Sequence, residues 1–279
     1  MISINTNTAA MAAIQNLNRT DRELQVSQQA ISTGKKVANV RDNGAIWAIA
    51  NRMGNDVSSL DRVRESAERA GAIVDTAISA SESIMELLNE MKGKALAATQ
   101  TGLSASSLSA LNADFVQLRD QITSVVSNAS FDGTNMVAAT PANAVSLGDA
   151  AGGNTLTISG ISLALGSTTV SVAALQTIGK ATAGAIDDPT AALTAVNNSI
   201  NALGTQMATW GAGSKRIEAH KQFVSKLQDA LNTGIGSLVD ADLAKESAKL
   251  QSLQTKQQLG LQALSIANSG SQNALALFR

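Results

Sequence analysis

The residues able to do chemistry in this chain are few, and their spacing decides which reactions are open to it. A single histidine, His220, sits beside Lys221. A histidine base needs a nucleophile or a carboxylate within reach. No Gly-x-Ser-x-Gly elbow, His-Glu-x-x-His helix, Walker loop or dinucleotide-binding glycine motif occurs to supply one. Trp210-Gly211-Ala212-Gly213-Ser214-Lys215 has the look of half a phosphate loop, but the spacing to a second glycine is wrong. Cysteine is absent, which removes thiol nucleophiles, disulfides and Cys-based zinc sites together. The expectation is a chain without catalytic, cofactor-binding or metal-binding residues. His220 lies off the stripe formed by Ile217 and Val224 and reads as a solvated helix side chain.

The remaining polar candidates sit at structural positions. Asp56 and Ser81 interrupt a long apolar seam, where a buried polar residue sets coiled-coil register. Arg41, Asp42 and Arg52 flank a break between helical segments. By themselves they read as a solvated helix start, with capping and dipole complementarity.

Composition names the elements that must hold these residues. Hydrophobic residues make up 44% of the 279, yet aromatics only 2%. The apolar mass is therefore Ala, Leu, Ile and Val, a helix-packing palette. The two prolines, Pro141 and Pro189, leave long stretches free to be uninterrupted helix. A net charge of −1 provides no footprint for nucleic acid or an anionic membrane. No run approaches eighteen apolar residues, so no membrane insertion is expected. The opening residues have neither a basic region nor a continuous apolar stretch, so no cleaved signal peptide is expected.

Apolar residues first recur at Ile14, Leu17, Leu24 and Ile31, with Asp21 and Gln28 between them. That is a three-four alternation, and it runs into the polar break Ser32-Thr33-Gly34-Lys35-Lys36. A longer seam steps from Ile46 through Ile49, Met53, Leu60 and Val63 to Ala95. It predicts one helix about 75–80 Å long at 1.5 Å per residue. A third helix runs from Leu108 to Ala129 and stops at Phe131-Asp132-Gly133-Thr134, whose Asp-Gly pair signals a tight hairpin. The Gly-, Ser- and Thr-rich middle that follows, including Leu156-Thr157-Ile158 and Val170-Ser171-Val172, reads as short strands and turns at the surface. Asp187-Asp188-Pro189 opens a fourth helix, expected to end at Gly234 and Gly236. The last carries Leu243, Leu250, Leu253, Leu261, Leu264, Leu275 and Phe278.

The pattern is nested, so the two halves of the chain must pair antiparallel. The fold expected is mainly α: a long antiparallel helical bundle or coiled coil of N- and C-terminal segments, with a small β-rich insert in the middle. No charge precedes Arg19, and none lies between Lys256 and Arg279. Segments with a seam and no charge suit burial against copies of the same chain.

Several stretches resemble the bacterial flagellin family. Ile4-Asn5-Thr6-Asn7 is similar to the family's opening. Residues Arg41-Asp42-Asn43-Gly44-Ala45-Ile46 and Ile49-Ala50-Asn51-Arg52 fall where the family has its Lys-Asp-Asp-Ala and Ile-Ala-Asn-Arg signature. Phe131-Asp132-Gly133 resembles the motif closing the third helix. Gln257-Gln258-Leu259-Gly260 through Ala267-Asn268 and Gln272–Arg279 resemble the family's C-terminus. Asn43, in place of the second acid, and Trp47 look like the alphaproteobacterial branch, and Ser271 stands where many relatives have proline.

The resemblance implies a structural subunit that polymerises into the extracellular bacterial flagellar filament. It implies an inner coiled-coil domain of residues 1–42 with 237–279, an outer helical rod of 43–131 with 187–236, and a variable surface insert at 132–186. It implies subunit contacts through Ile14, Leu17, Leu24, Ile31, Leu261, Leu264, Leu275 and Phe278, and through Arg41, Asp42 and Arg52 at the joint between rods. Partners would be further copies of the chain, a flagellar secretion chaperone, and filament-cap and hook-junction proteins. Export would use the flagellar type III channel. The alternatives are a hook–filament junction protein, present in few copies, and a secreted coiled-coil adhesin.

Overall fold

The computed structural model describes residues 7–164 and 189–276. The elements run α1 (Thr8–Thr33), α2 (Gly44–Ala98), α3 (Ala105–Asn128), β1 (Ala144–Leu147), β2 (Thr155–Ile158), α4 (Pro189–Val239) and α5 (Leu243–Ala276). The fold is mainly α with one small two-stranded antiparallel sheet, the class expected. The expected reading of Asp187 and Asp188 at the start of α4, and of strand residues 170–172, lies outside the described residues.

Local chemistry sets the helix ends. Asn7 caps α1 by accepting the Ala10 amide at 3.0 Å, and Gly34 ends that helix in the left-handed region at φ 69°. Ser104 caps α3 through the Ser107 amide at 3.1 Å. After α3, Asp132 and Gly133 take φ of 49° and 74°. Phe131 and Thr134 exchange both backbone hydrogen bonds at 2.9 Å. Two consecutive positive φ values make the primed two-residue turn that Asp-Gly favours, and Arg69 holds it at 2.8 Å through Asp132. The fourth helix does not stop at Gly234 and Gly236. Those glycines lie inside α4, where a Cβ at Gly234 would come within 2.8 Å of Met53 Cε. Gly234 gives the Met53 side chain room, and neither glycine terminates the helix.

The chain divides into two compact units, Met1–Val57 with Asp229–Arg279, and Ser58–Gln228. In Ser58–Gln228, one continuous core is built from Val74, Ile84, Leu88 and Met91 of α2, Phe115 and Ile122 of α3, and Val196, Leu203, Trp210 and Ile217 of α4. Each fully buried side chain of this size contributes about 1.5–3 kcal/mol relative to exposure.

The described part of the middle segment, residues 132–164, also contributes to this core, so here the expectation of a purely surface position is corrected; residues 165–186 lie outside the described residues. Met136, Val137, Ala144, Ile158 and Leu163 are all buried. The strands pair from Ala144 with Ile158 to Leu147 with Thr155, and the sheet is tied down from both sides. Trp210 Nε1 donates to the Ser159 carbonyl at 2.9 Å. Arg216 donates to the Thr157 carbonyl at 3.1 Å, and the Leu147 amide donates to Ser66 Oγ at 3.1 Å. A Cβ at Gly213 would fall 2.7 Å from Ile158 Cδ1. Gly213, one of the two glycines that suggested half a phosphate loop, therefore makes room for the sheet on α4, while Gly211 has open space beside it.

The seam of α2 also differs from strict alternation. Leu60, Val63, Ala67, Ala70, Val74, Ala77, Ser81, Ile84, Leu88, Met91 and Ala95 are buried, as the spacing predicts. Toward the N-terminus, however, the sheltered line runs through Val57, Met53 and Ala50, while Ile49 and Asp56 are exposed. The line takes two consecutive three-residue steps at Val57, Leu60 and Val63, a local insertion in the heptad pattern. Asp56 is thus not a buried register residue. Ser81 is buried, but its hydroxyl bonds the Ala77 carbonyl of its own helix at 2.7 Å. It packs as a small side chain satisfied within its own turn.

Candidate assembly interface

Small residues bring α1 and α5 together. On α1 the sheltered line is Ala10, Ala13, Leu17, Thr20, Leu24, Ser27 and Ala30. On α5 it is Glu246, Leu250, Leu253, Gln257, Gly260, Leu264 and Ala267. Both repeat in threes and fours, so each presents one face. Asn7 Nδ2 donates to the Ala267 carbonyl at 2.8 Å. Gln257 Nε2 donates to Asp21 Oδ1 at 2.8 Å, and Ser27 Oγ donates to Glu246 Oε2 at 2.8 Å. The order of these partners makes the pair antiparallel. Gly260 lies against Leu17, whose Cδ1 would sit 3.4 Å from an added Cβ. At the base of the pair the backbone bonds continue: Lys36 N to Val239 O at 2.7 Å and Ala241 N to Gly34 O at 2.9 Å.

The seam shifts phase relative to the sequence reading. Leu17, Leu24, Ile31 and Leu264 are half-buried along it, as are Asp21 and its neighbour Thr20, while Gln28 gives way to Ser27. Ile14 and Leu261 point away, 45% and 54% exposed. With Ala10, Leu264, Ser265 and Asn268 they line one surface depression. Leu275 lies on α5 and Phe278 outside the described residues; nothing is assigned to either side chain.

Sequence reasoning missed the outward-facing members. Met11, Val26, Leu259 and Ile266 are exposed, Ile266 by 72%. For Met11 and Ile266 the signal was available, because no charged residue lies within seven positions of either in the sequence. Two helices bury only the faces they share, and large apolar side chains on the remaining faces form the kind of exposed patch that marks an interaction site.

Arg41, Asp42 and Arg52 occupy the break and the start of α2. Asp42 Oδ2 accepts the Ala38 and Asn39 amides at 2.9 and 3.0 Å. Asn39 Oδ1 accepts the Arg41 amide at 2.8 Å. Asn43, in place of an acid, caps α2 by accepting the Ile46 amide at 3.1 Å. Arg41 and Arg52 are exposed and form no ion pair with a described residue. Trp47 packs with Ile46, Ile235 and Leu238 around Val37, Ala50 and Val239.

His220 is not solvated as expected. Its Nε2 is buried without a hydrogen-bond partner among the described residues, and its ring stacks on Phe223 at 6.5 Å. Among the described residues no group of three His, Cys, Asp or Glu could hold a metal ion. No described helix is long and apolar enough to cross a membrane.

Comparison with known proteins adds the family. Residues 4–142 match the bacterial flagellin N-terminal helical region and residues 193–278 the bacterial flagellin C-terminal helical region. Flagellin FljK of Caulobacter vibrioides is 48% identical over 283 aligned residues, covering 99% of this chain and 98% of that one. Flagellin FljM of the same organism is 47% identical with the same coverage. A flagellin of Brucella melitensis is 36% identical over the full length of both chains.

Proposed function

This chain belongs to the bacterial flagellin family, and from that premise we propose that its α1–α5 pair forms the buried core of the polymer. The protein is a structural subunit of the extracellular bacterial flagellar filament, not an enzyme, and it assembles with copies of itself. The observation that carries our reading of the interface is the bare apolar surface of the uncharged helix pair: Met11, Ile14, Leu259, Leu261 and Ile266 stand in water in the single chain. Stacked copies cover them. Contacts between unlike faces of successive copies do not close, and they generate an open helical array.

The finer roles follow. Residues 1–42 with 237–279 serve as the inner domain, 43–131 with 187–236 as the outer helical domain, and 132–186 as the insert. Ile14, Leu17, Leu24, Ile31, Leu261, Leu264, Leu275 and Phe278 make the core contacts, the half-buried ones by positioning the exposed ones. Arg41 and Arg52 reach neighbouring subunits, and Asp42 shapes the loop that presents them. Type III export without a cleaved signal peptide, a secretion chaperone, and cap and hook-junction partners are supported by the family alone. The test is seeded polymerisation of purified protein followed by electron microscopy. Long uniform filaments are expected, and a chain that stays monomeric or forms closed oligomers under seeding overturns the reading.

A further inference from the structure

We propose that Ser58–Gln228 carries a second, lateral contact between copies: an acidic stripe on α2 of one copy receives a basic, apolar-ridged stripe on α4 of the next, with the copies staggered along the helix axis. This rests on the filament reading and names the surface by which neighbouring subunits select their register.

Charge is segregated within this unit. Between Arg69 and Lys92, α2 carries Asp75, Glu82, Glu86 and Glu90 and no basic residue. All four are exposed, their spacing places them on one side of the helix, and none forms an ion pair with a described residue. The charges just before them are already matched, Arg62 with Glu65, Arg64 with Asp61 and Glu68, and Arg69 with Asp132. On α4, residues 189–214 are uncharged, and then Lys215, Arg216, Lys221 and Lys226 follow with one acid, Glu218. Glu218 is taken by Lys221. Lys215 and Lys226 are exposed and form no ion pair with a described residue. A stripe of one sign meeting a stripe of the other suppresses wrong registers and steers encounter.

Shape repeats the same offset. Phe223 is 60% exposed and Leu227, one turn on, is 36% exposed, a ridge beside Lys226. A groove between α2 and α3 is floored by Ala80, Val125 and Ala129 and rimmed by Asp75, Ser79 and Ser83. Within one chain, Ile217 lies beside Gly71, and Gln228 donates to Asp61 at 2.9 Å. The basic band is therefore level with α2 residues near 68, while the acidic band centres near 82. At 1.5 Å per residue the displacement is roughly 20 Å. The ridge and the groove are displaced by roughly the same distance on that scale. One axial stagger thus satisfies both charge and shape. A staggered contact between unlike faces cannot close on itself.

The experiment is a charge swap with rescue. One full-length variant carries Glu82→Lys, Glu86→Lys and Glu90→Lys, and a second carries Lys215→Glu and Lys226→Glu. Every position is exposed, so helicity and melting of the monomer should match the wild type. Each variant alone should need about a tenfold or higher concentration to polymerise, because like charges now face each other. An equimolar mixture of the two, or one chain carrying all five substitutions, should return toward the wild-type critical concentration. If each variant assembles like the wild type, or the five-substitution chain fails to recover while the wild type forms filaments, the lateral contact is overturned and the filament reading stands. Failure of the wild type itself would bring down both.

Discussion

The two compact units solve the problem of burial in opposite ways. In Ser58–Gln228 the large side chains Trp210, Phe115, Ile84, Leu88 and Met91 have no exposed surface, and three helices with a small sheet enclose them. The α1–α5 pair is lined by Ala, Ser, Thr and Gly interleaved with leucines, and other large residues, Leu259, Leu261 and Ile266, face water. A three-layered core can be complete within one chain. Two helices have only one shared face, and in our proposal the apolar area beyond it is covered by another copy. The difference teaches where folding ends and assembly begins.

Substitutions can break this contrast. The largest effect belongs to Leu261→Asp. Leu261 is more than half exposed in the single chain, so the monomer should keep its helicity and melting. In the polymer an unpaired buried charge costs on the order of several kcal/mol per subunit, enough to raise the critical concentration by orders of magnitude. Sedimentation of seeded samples measures it, and assembly at the wild-type concentration would remove Leu261 from the interface. Leu253→Asp sharpens the point, since Leu253 is 2% exposed on the seam; it should also lower monomer helicity.

Trp210→Ala should act on the other unit. Removing that side chain empties the core beneath β2 and leaves the Ser159 carbonyl without its donor, at a cost of about 3–5 kcal/mol. Denaturant unfolding of the monomer should register the loss. A destabilisation below about 1 kcal/mol, far under the usual cost of a large-to-small change in a core, would mean that the sheet is not fastened by this residue.

The smallest effect is expected from Asn43→Ala, which deletes the cap of α2 at the break between helices. Loss of such a cap costs about 1 kcal/mol, visible as a modest fall in melting temperature. Asn43→Asp should hold or raise stability, because a carboxylate at a helix N-terminus keeps the cap and complements the dipole.

The helices were legible because α2 and α4 repeat their apolar residues over many turns with no proline to stop them. Their faces were less so. The spacing in the sequence places Ile14 and Gln28 of α1, and Ile49 and Asp56 of α2, on the seam. The fold instead turns Ala13, Thr20, Ser27, Ala50 and Val57 inward. Both phases repeat in threes and fours, so periodicity alone could not separate them. The position of the partner helix did, since only the residues that face it are sheltered. The same holds for Trp210-Gly211-Ala212-Gly213. As a string it resembled a piece of a phosphate loop, and only Ile158 lying against Gly213 gives it a role.

Composition and periodicity determined, without any structure, that this chain is helical, nested and uncharged toward its ends, with no cysteine and a single histidine. Those properties depend on local spacing and on residue inventory, which a sequence states directly. Which face of each helix turns inward, where the sheet rests, and which leucines remain in water were decided only by tertiary packing. Each depends on how closely a distant segment can approach, and side-chain volume at one site determines that only together with the surface it meets.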